Sequence, residues 1–186
     1  MKLKDVLEIF LLRAIDRFKF VNATEIGCTY DYGNFNEEGI EHPNKSESEY
    51  WNSSTYTISR ILKGNGLLIS IDKSQNNLDY ASKIIEPSKN VIFICMNGTE
   101  YLKKQNQCEF LLLDGPNDAD INLEMFLLAD LFMHKHNIIV IDDAGHHGNG
   151  VKGIKIMPYV KAKPDKFEWH EYPEVETNGA FVVVKK

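Results

Sequence analysis

Short apolar runs alternate along the chain with longer stripes of helical spacing. The runs lie at 20–26, 67–72, 90–95, 109–114 and 137–142, and each has the length of a strand buried on both faces. Between them, apolar residues recur every three or four positions around 76–86, near 99–105 and over 119–135. In the last of these Ile121, Met125, Leu128 and Phe132 share one face. A leading stripe of Leu3, Val6, Leu7, Phe10, Ala14 and Phe18 predicts a helix over 1–19, packed on the body of the fold or offered to a partner. Another helix takes its cap from Asn52, Ser53 or Ser54, carries Tyr56, Ile58, Ile61 and Leu62, and stops near Gly64-Asn65-Gly66. This order predicts a parallel sheet covered by helices on both faces and wound by right-handed crossovers.

The end of the chain breaks the alternation. Residues 167–172 and 179–184 both read as strands, and only a short stretch with Pro173 and Asn178-Gly179 separates them. A parallel crossover needs a dozen residues or more, so the last strand must run antiparallel. The expected fold is therefore α/β, a doubly wound, mainly parallel seven-stranded sheet with a C-terminal antiparallel hairpin. The whole chain, 1–186, is read as one domain. Residues 31–52 are polar and rich in turn formers but also carry Tyr32, Phe35, Tyr50 and Trp51, and they read as an inserted loop or lid.

Three of the apolar runs stop at acid. Residues 67–72 end in Asp72, residues 111–114 in Asp114, and Ile138-Ile-Val-Ile141 runs into Asp142-Asp143. In an open α/β sheet this C-terminal edge is where ligands bind, near the point at which strand order reverses. A core gains nothing from an unpaired carboxylate, so the acids point to a small-molecule site.

Composition narrows the partners. A net charge of −6, from 21 basic and 27 acidic residues, gives no general surface for nucleic acid or an anionic membrane. The lysines near the C-terminus (Lys152, Lys155, Lys161, Lys163, Lys166) are interleaved with acids and Pro, and they read as a solvated face. Cys28, Cys95 and Cys108 lack metal-type spacing and read as reduced thiols. No leader-like or membrane-length apolar segment is visible, so a cytoplasmic protein is expected, with a homo-oligomer among the expectations.

The ordered motifs from Thr24 to Lys186 resemble those of class I S-adenosylmethionine-dependent methyltransferases, with their Rossmann-like fold. Thr24-Glu-Ile-Gly27 resembles the start of the first motif, and Leu68-Ile-Ser-Ile-Asp72 the second, whose terminal acid holds the ribose hydroxyls. Ile94-Cys-Met-Asn-Gly98 resembles the strand end bordering the adenine. Phe110-Leu-Leu-Leu-Asp-Gly115 and Ile139-Val-Ile-Asp-Asp143 resemble the fourth motif and the fifth strand. Within the class, these last two followed by Gly145-His146 look like the small O-methyltransferases. Two features depart from the pattern. Gly27 is followed by Cys-Thr-Tyr-Asp-Tyr before Gly33, and Asp114 is followed by Gly-Pro-Asn-Asp instead of a general-base lysine.

The resemblance implies S-adenosylmethionine as cofactor, contacted by Glu25, Gly27, Asp72, Asn97, Gly98 and Asp114. It also implies O-methylation of a small-molecule or glycan hydroxyl. Asp114, Asp142 and Asp143 suit Mg²⁺ or another divalent cation, which prefers oxygen ligands; alternatively they cap helices or face water. With Asp114, His146 and His147 are the catalytic candidates, since an unperturbed imidazole titrates near neutrality and can serve as general base. Surface histidines are the alternative. A chain of this fold that has lost transfer and acts as a binding or scaffold protein is the rival expectation, supported by the sparse glycines of the first motif.

Overall fold

A computed structural model describes residues 1–28, 53–85, 90–104, 108–145, 151–175 and 178–186. The expected lid at 31–52 and both candidate bases, His146 and His147, lie outside the described residues.

Seven strands form one sheet: β1 (Val21–Ile26), β2 (Gly66–Asp72), β3 (Val91–Cys95), β4 (Phe110–Leu113), β5 (Ile138–Ile141), β6 (Phe167–Tyr172) and β7 (Ala180–Lys185). Their spatial order is β3-β2-β1-β4-β5-β7-β6. The first five are parallel, with Ala23 level with Leu68 on one side and Phe110 on the other. The last two are antiparallel, β7 inserting between β5 and β6. This is the mainly parallel sheet with a terminal hairpin that the apolar runs predict.

Period-two alternation divides the strands between two cores. Val21, Ala23, Leu68, Phe110, Leu112 and Val140 face α1 (Leu3–Phe18) and α2 (Ser54–Ile61). Ile26, Ile71, Leu111, Leu113, Ile139 and Phe181 face the opposite layer. That layer holds α4 (Gly98–Leu102), α5 (Ala119–Phe132) and α6 (Ile156–Lys161), while α3 (Gln75–Ile84) lies along β2 and β3. Helix α1 buries Val6, Leu7, Phe10, Leu11 and Ala14, so the leading stripe is core and packs on α2.

Two differences from the sequence reading have local causes. The long helix ends at Phe132, not 135, because Met133 is extended and His136 takes a positive φ of 73° to turn into β5. Helix α6 has no counterpart in the periodicity, being six residues long with Pro158 in its first turn, where the missing N–H costs nothing. All three cysteines are free, with Cys28 and Cys108 buried and Cys95 exposed. Among the described residues no helix is long and apolar enough to cross a membrane.

Candidate active site

Strand order reverses between β1 and β4, and the acids gather on that side of the sheet. Beyond β1 the chain turns at Gly27, whose φ is +86°. Its N–H bonds to the Ile71 carbonyl at 2.8 Å, and Asp114 N–H bonds to the Ile26 carbonyl at 2.9 Å, so the seam between β2, β1 and β4 continues past the strand ends. A Cβ at position 27 would overlap the Asp114 carbonyl oxygen. Only glycine satisfies both the dihedral and the contact.

Asp72 closes β2 beside this turn. One carboxylate oxygen accepts the Ser74 N–H at 2.7 Å; the other accepts the Asn77 side-chain amide at 3.2 Å and faces the Cys28 thiol at 3.6 Å. The carboxylate is thus oriented by the first turn of α3, and it is part-buried. The oxygen bound to Ser74 has room for a second hydrogen bond, which suits a ligand hydroxyl. Beside it, burial together with the Asp72 charge pushes the Cys28 thiol up, so this sulfur stays protonated.

Glu25, expected at the cofactor, is engaged with hydroxyls of the protein itself. Its carboxylate is wholly buried and accepts hydroxyl hydrogen bonds from Ser54, from Thr55 at 2.6 Å and from Ser70 at 2.8 Å. Ser54 and Thr55 form the first turn of α2, capped by Ser53, so the acid fastens a helix N-terminus to the sheet. Burial raises its pKa from 4.5 to about 7; the hydroxyls pull it back, and the Asp114 charge adds to the rise. Asn97 also works locally: its side-chain oxygen caps α4 by accepting from Thr99 N–H at 2.9 Å and Glu100 N–H at 3.4 Å. Gly98 lets α4 approach Ile26 and Met125, against which a Cβ would collide.

Asp114, Asp142 and Asp143 come together at the ends of β4 and β5, each offering an oxygen within 4.8 Å of the others. The acids at the ends of the apolar runs predict that these three meet, but not the cation that lies among them. Lys152, expected on a solvated face, is only 4% exposed. Its ammonium pairs with Asp114 and, at 3.1 Å, with Asp143. Burial alone would lower its pKa, but the attraction of Asp114, Asp143 and Asp142 outweighs that and raises it. Asp142 gains less from the cation. Burial and the charges of Asp114 and Asp143 push its carboxyl up from 3.8 to about 7. Asp143, at a positive φ of 45°, also accepts the Asn178 amide at 3.0 Å. The sequence carries no distinguishing signal for Lys152: Val151 and Gly153 flank it, but Lys155 between Ile154 and Ile156 and Lys161 between Val160 and Ala162 are equally apolar in their neighbours and lie at the surface. Asn77 and Asn178 carry none either.

No family model and no curated protein matches the sequence. Solved structures do match the fold. An O-methyltransferase from Bacillus cereus, solved in complex with SAH (S-adenosylhomocysteine), superposes with a TM-score of 0.66 at 17% identity, covering 98% of this chain and 81% of that one. A methyltransferase from Geobacter sulfurreducens gives 0.63 at 12% identity, covering 98% and 77%. A protein from Corynebacterium glutamicum gives 0.68 at 12% identity, covering 100% and 82%. The fold is that of the class I methyltransferases. In that methyltransferase fold, the turn at Gly27 and the acids of β2, β4 and β5 lie along the carboxyl edge of the sheet, beside the reversal of strand order.

Proposed function

We propose that this chain is an S-adenosylmethionine-dependent O-methyltransferase acting on a hydroxyl of a small molecule or glycan. One observation carries the reading. The glycine seam at Gly27 sits between an oriented, part-buried carboxylate on β2 and an acidic wall on β4 and β5, in a fold shared with an SAH-bound O-methyltransferase. Asp72 would hold the ribose, and the turn at Gly27 would border the amino-acid part of the cofactor. Asp114 lies at the junction, and Asp142 and Asp143 face the acceptor.

Transfer is an in-line displacement. Bound S-adenosylmethionine would supply an electrophilic methyl, which a lone pair of the acceptor oxygen would take as the carbon–sulfur bond leaves its electrons on sulfur as the thioether. The hydroxyl proton is released toward the acidic wall. The chain's contribution is to align the two centres and to hold charge near the proton that leaves. A divalent cation would have to displace the Lys152 ammonium, so this reading assigns the work to protein groups alone. Glu25 and Asn97 support it from beneath, by holding α2 and α4.

Isothermal titration with S-adenosylmethionine and SAH tests the cofactor half. Saturable binding of both supports the proposal, and heat no different from buffer at millimolar ligand sinks it. Binding without transfer to any member of a hydroxylated-acceptor panel would favour the rival binding or scaffold protein.

A further inference from the structure

Three carboxylates at two adjacent strand ends invite a divalent cation, yet the place between two of them is filled by the chain itself. The Lys152 side chain is 5% exposed and its ammonium touches both Asp114 and Asp143. Its fellow lysines at 155 and 161 pair with acids at the surface, with side chains 45% and 42% exposed. We propose that Lys152 is the resident cation of this cluster and that its ammonium, held between Asp114 and Asp143, keeps divalent metals out.

The backbone fixes that position. Lys152 N–H bonds to the Asp143 carbonyl at 3.3 Å, and Gly153 lies so close to Ala144 that a Cβ would collide with its main chain. The Gly153 carbonyl then accepts the Met157 N–H at 2.8 Å, locking the start of α6. From this anchored Cα the lysine stem runs into the cluster. Asp143 is committed on both oxygens, one to Lys152 and one to Asn178.

A magnesium or manganese ion needs several oxygens at roughly 2.0–2.6 Å. Placed here, it would set two positive charges against the ammonium inside a poorly solvated site. Expelling the ammonium instead would strand a buried, unpaired cation. The donor set therefore does not fit a divalent ion while Lys152 is in place. Any consequence for methyl transfer rests on the function proposed above; the exclusion of metal does not.

The test is titration of the full-length protein with MnCl₂, followed by electron paramagnetic resonance of free Mn²⁺. The wild-type protein should leave the six-line signal at full amplitude into the millimolar range. Lys152→Ala, which uncovers the three carboxylates, should bind Mn²⁺ roughly tenfold or more tightly than wild type. Micromolar binding by wild type overturns the proposal, and so does a folded Lys152→Ala that binds no better. Should the variant fail to fold, ¹⁵N-lysine spectra of the wild-type protein decide. A Lys152 ammonium resonance that stays sharp on adding Mn²⁺ supports the proposal, and one that broadens selectively refutes it. Because none of these readouts involves S-adenosylmethionine, failure to bind cofactor would sink the function and leave this result standing.

Discussion

Replacing Glu25 with Gln separates a support for the fold from a contact with cofactor. The wild-type carboxyl is wholly buried and its pKa is raised from 4.5 to about 7, chiefly by burial. The native state thus holds this proton more tightly than the unfolded chain does. Glu25 contributes full stability below pH 4.5 and loses it as pH rises toward 7. At about 1.4 kcal/mol per pKa unit, the loss over that window is roughly 3 kcal/mol. A glutamine stays neutral throughout, and the hydroxyls of Ser54, Thr55 and Ser70 can rotate to accept from its amide. Urea denaturation at pH 4.5, 6, 7 and 8 should therefore show Glu25→Gln gaining on wild type by roughly 3 kcal/mol from the lowest pH to the highest. Affinity for SAH should stay within about threefold, or below about 0.7 kcal/mol. Stability curves that run parallel across this range would refute the buried-acid argument. A loss of affinity beyond about tenfold would return Glu25 to the cofactor.

Gly27→Ala meets a left-handed dihedral and the Asp114 main chain at once, so a loss of at least about 2 kcal/mol in chemical denaturation is expected. SAH binding should fail with it; unchanged stability would show that the seam is slack. Lys152→Ala leaves Asp114 and Asp143 without their cation and should cost about 3–5 kcal/mol at neutral pH. Thermal melts with and without Mn²⁺ check this, the variant alone being rescued by the metal. Thiol labelling of the native protein should modify the exposed Cys95 first. Cys108, whose pKa burial pushes up to about 12, and the buried Cys28 should react only on unfolding, and fast labelling of either would contradict the core packing.

β4 and β5 were legible because parallel strands buried on both faces appear as unbroken apolar runs. An acid at the end of such a run marks the edge of the sheet. Asp72, Asp114, Asp142 and Asp143 could be placed together for that reason alone. The cap on α4 was also within reach, since Asn97 stands three residues before Glu100 at the start of a helix. Reading Asn97 as an adenine contact passed over that local use of its oxygen. Lys152 and Glu25 were harder. Their partners lie 38 and 9 residues away for Lys152 and 29, 30 and 45 residues away for Glu25, and a lysine or glutamate looks the same in sequence whether water or a buried counter-group solvates it. Helix α6 escaped because six residues with a proline span too few turns to show a period.

Calorimetric titration of SAH into wild type and Asp72→Ala addresses the central claim most directly. Asp72 is oriented by Ser74 and Asn77 with one lone pair to spare, and a hydrogen bond to a charged group contributes about 1.5–3 kcal/mol. Wild type should bind with one-to-one stoichiometry, and the variant should bind about 10–150-fold more weakly while remaining folded. Wild type that binds neither SAH nor S-adenosylmethionine, or a folded Asp72→Ala that binds as well as wild type, would contradict the account.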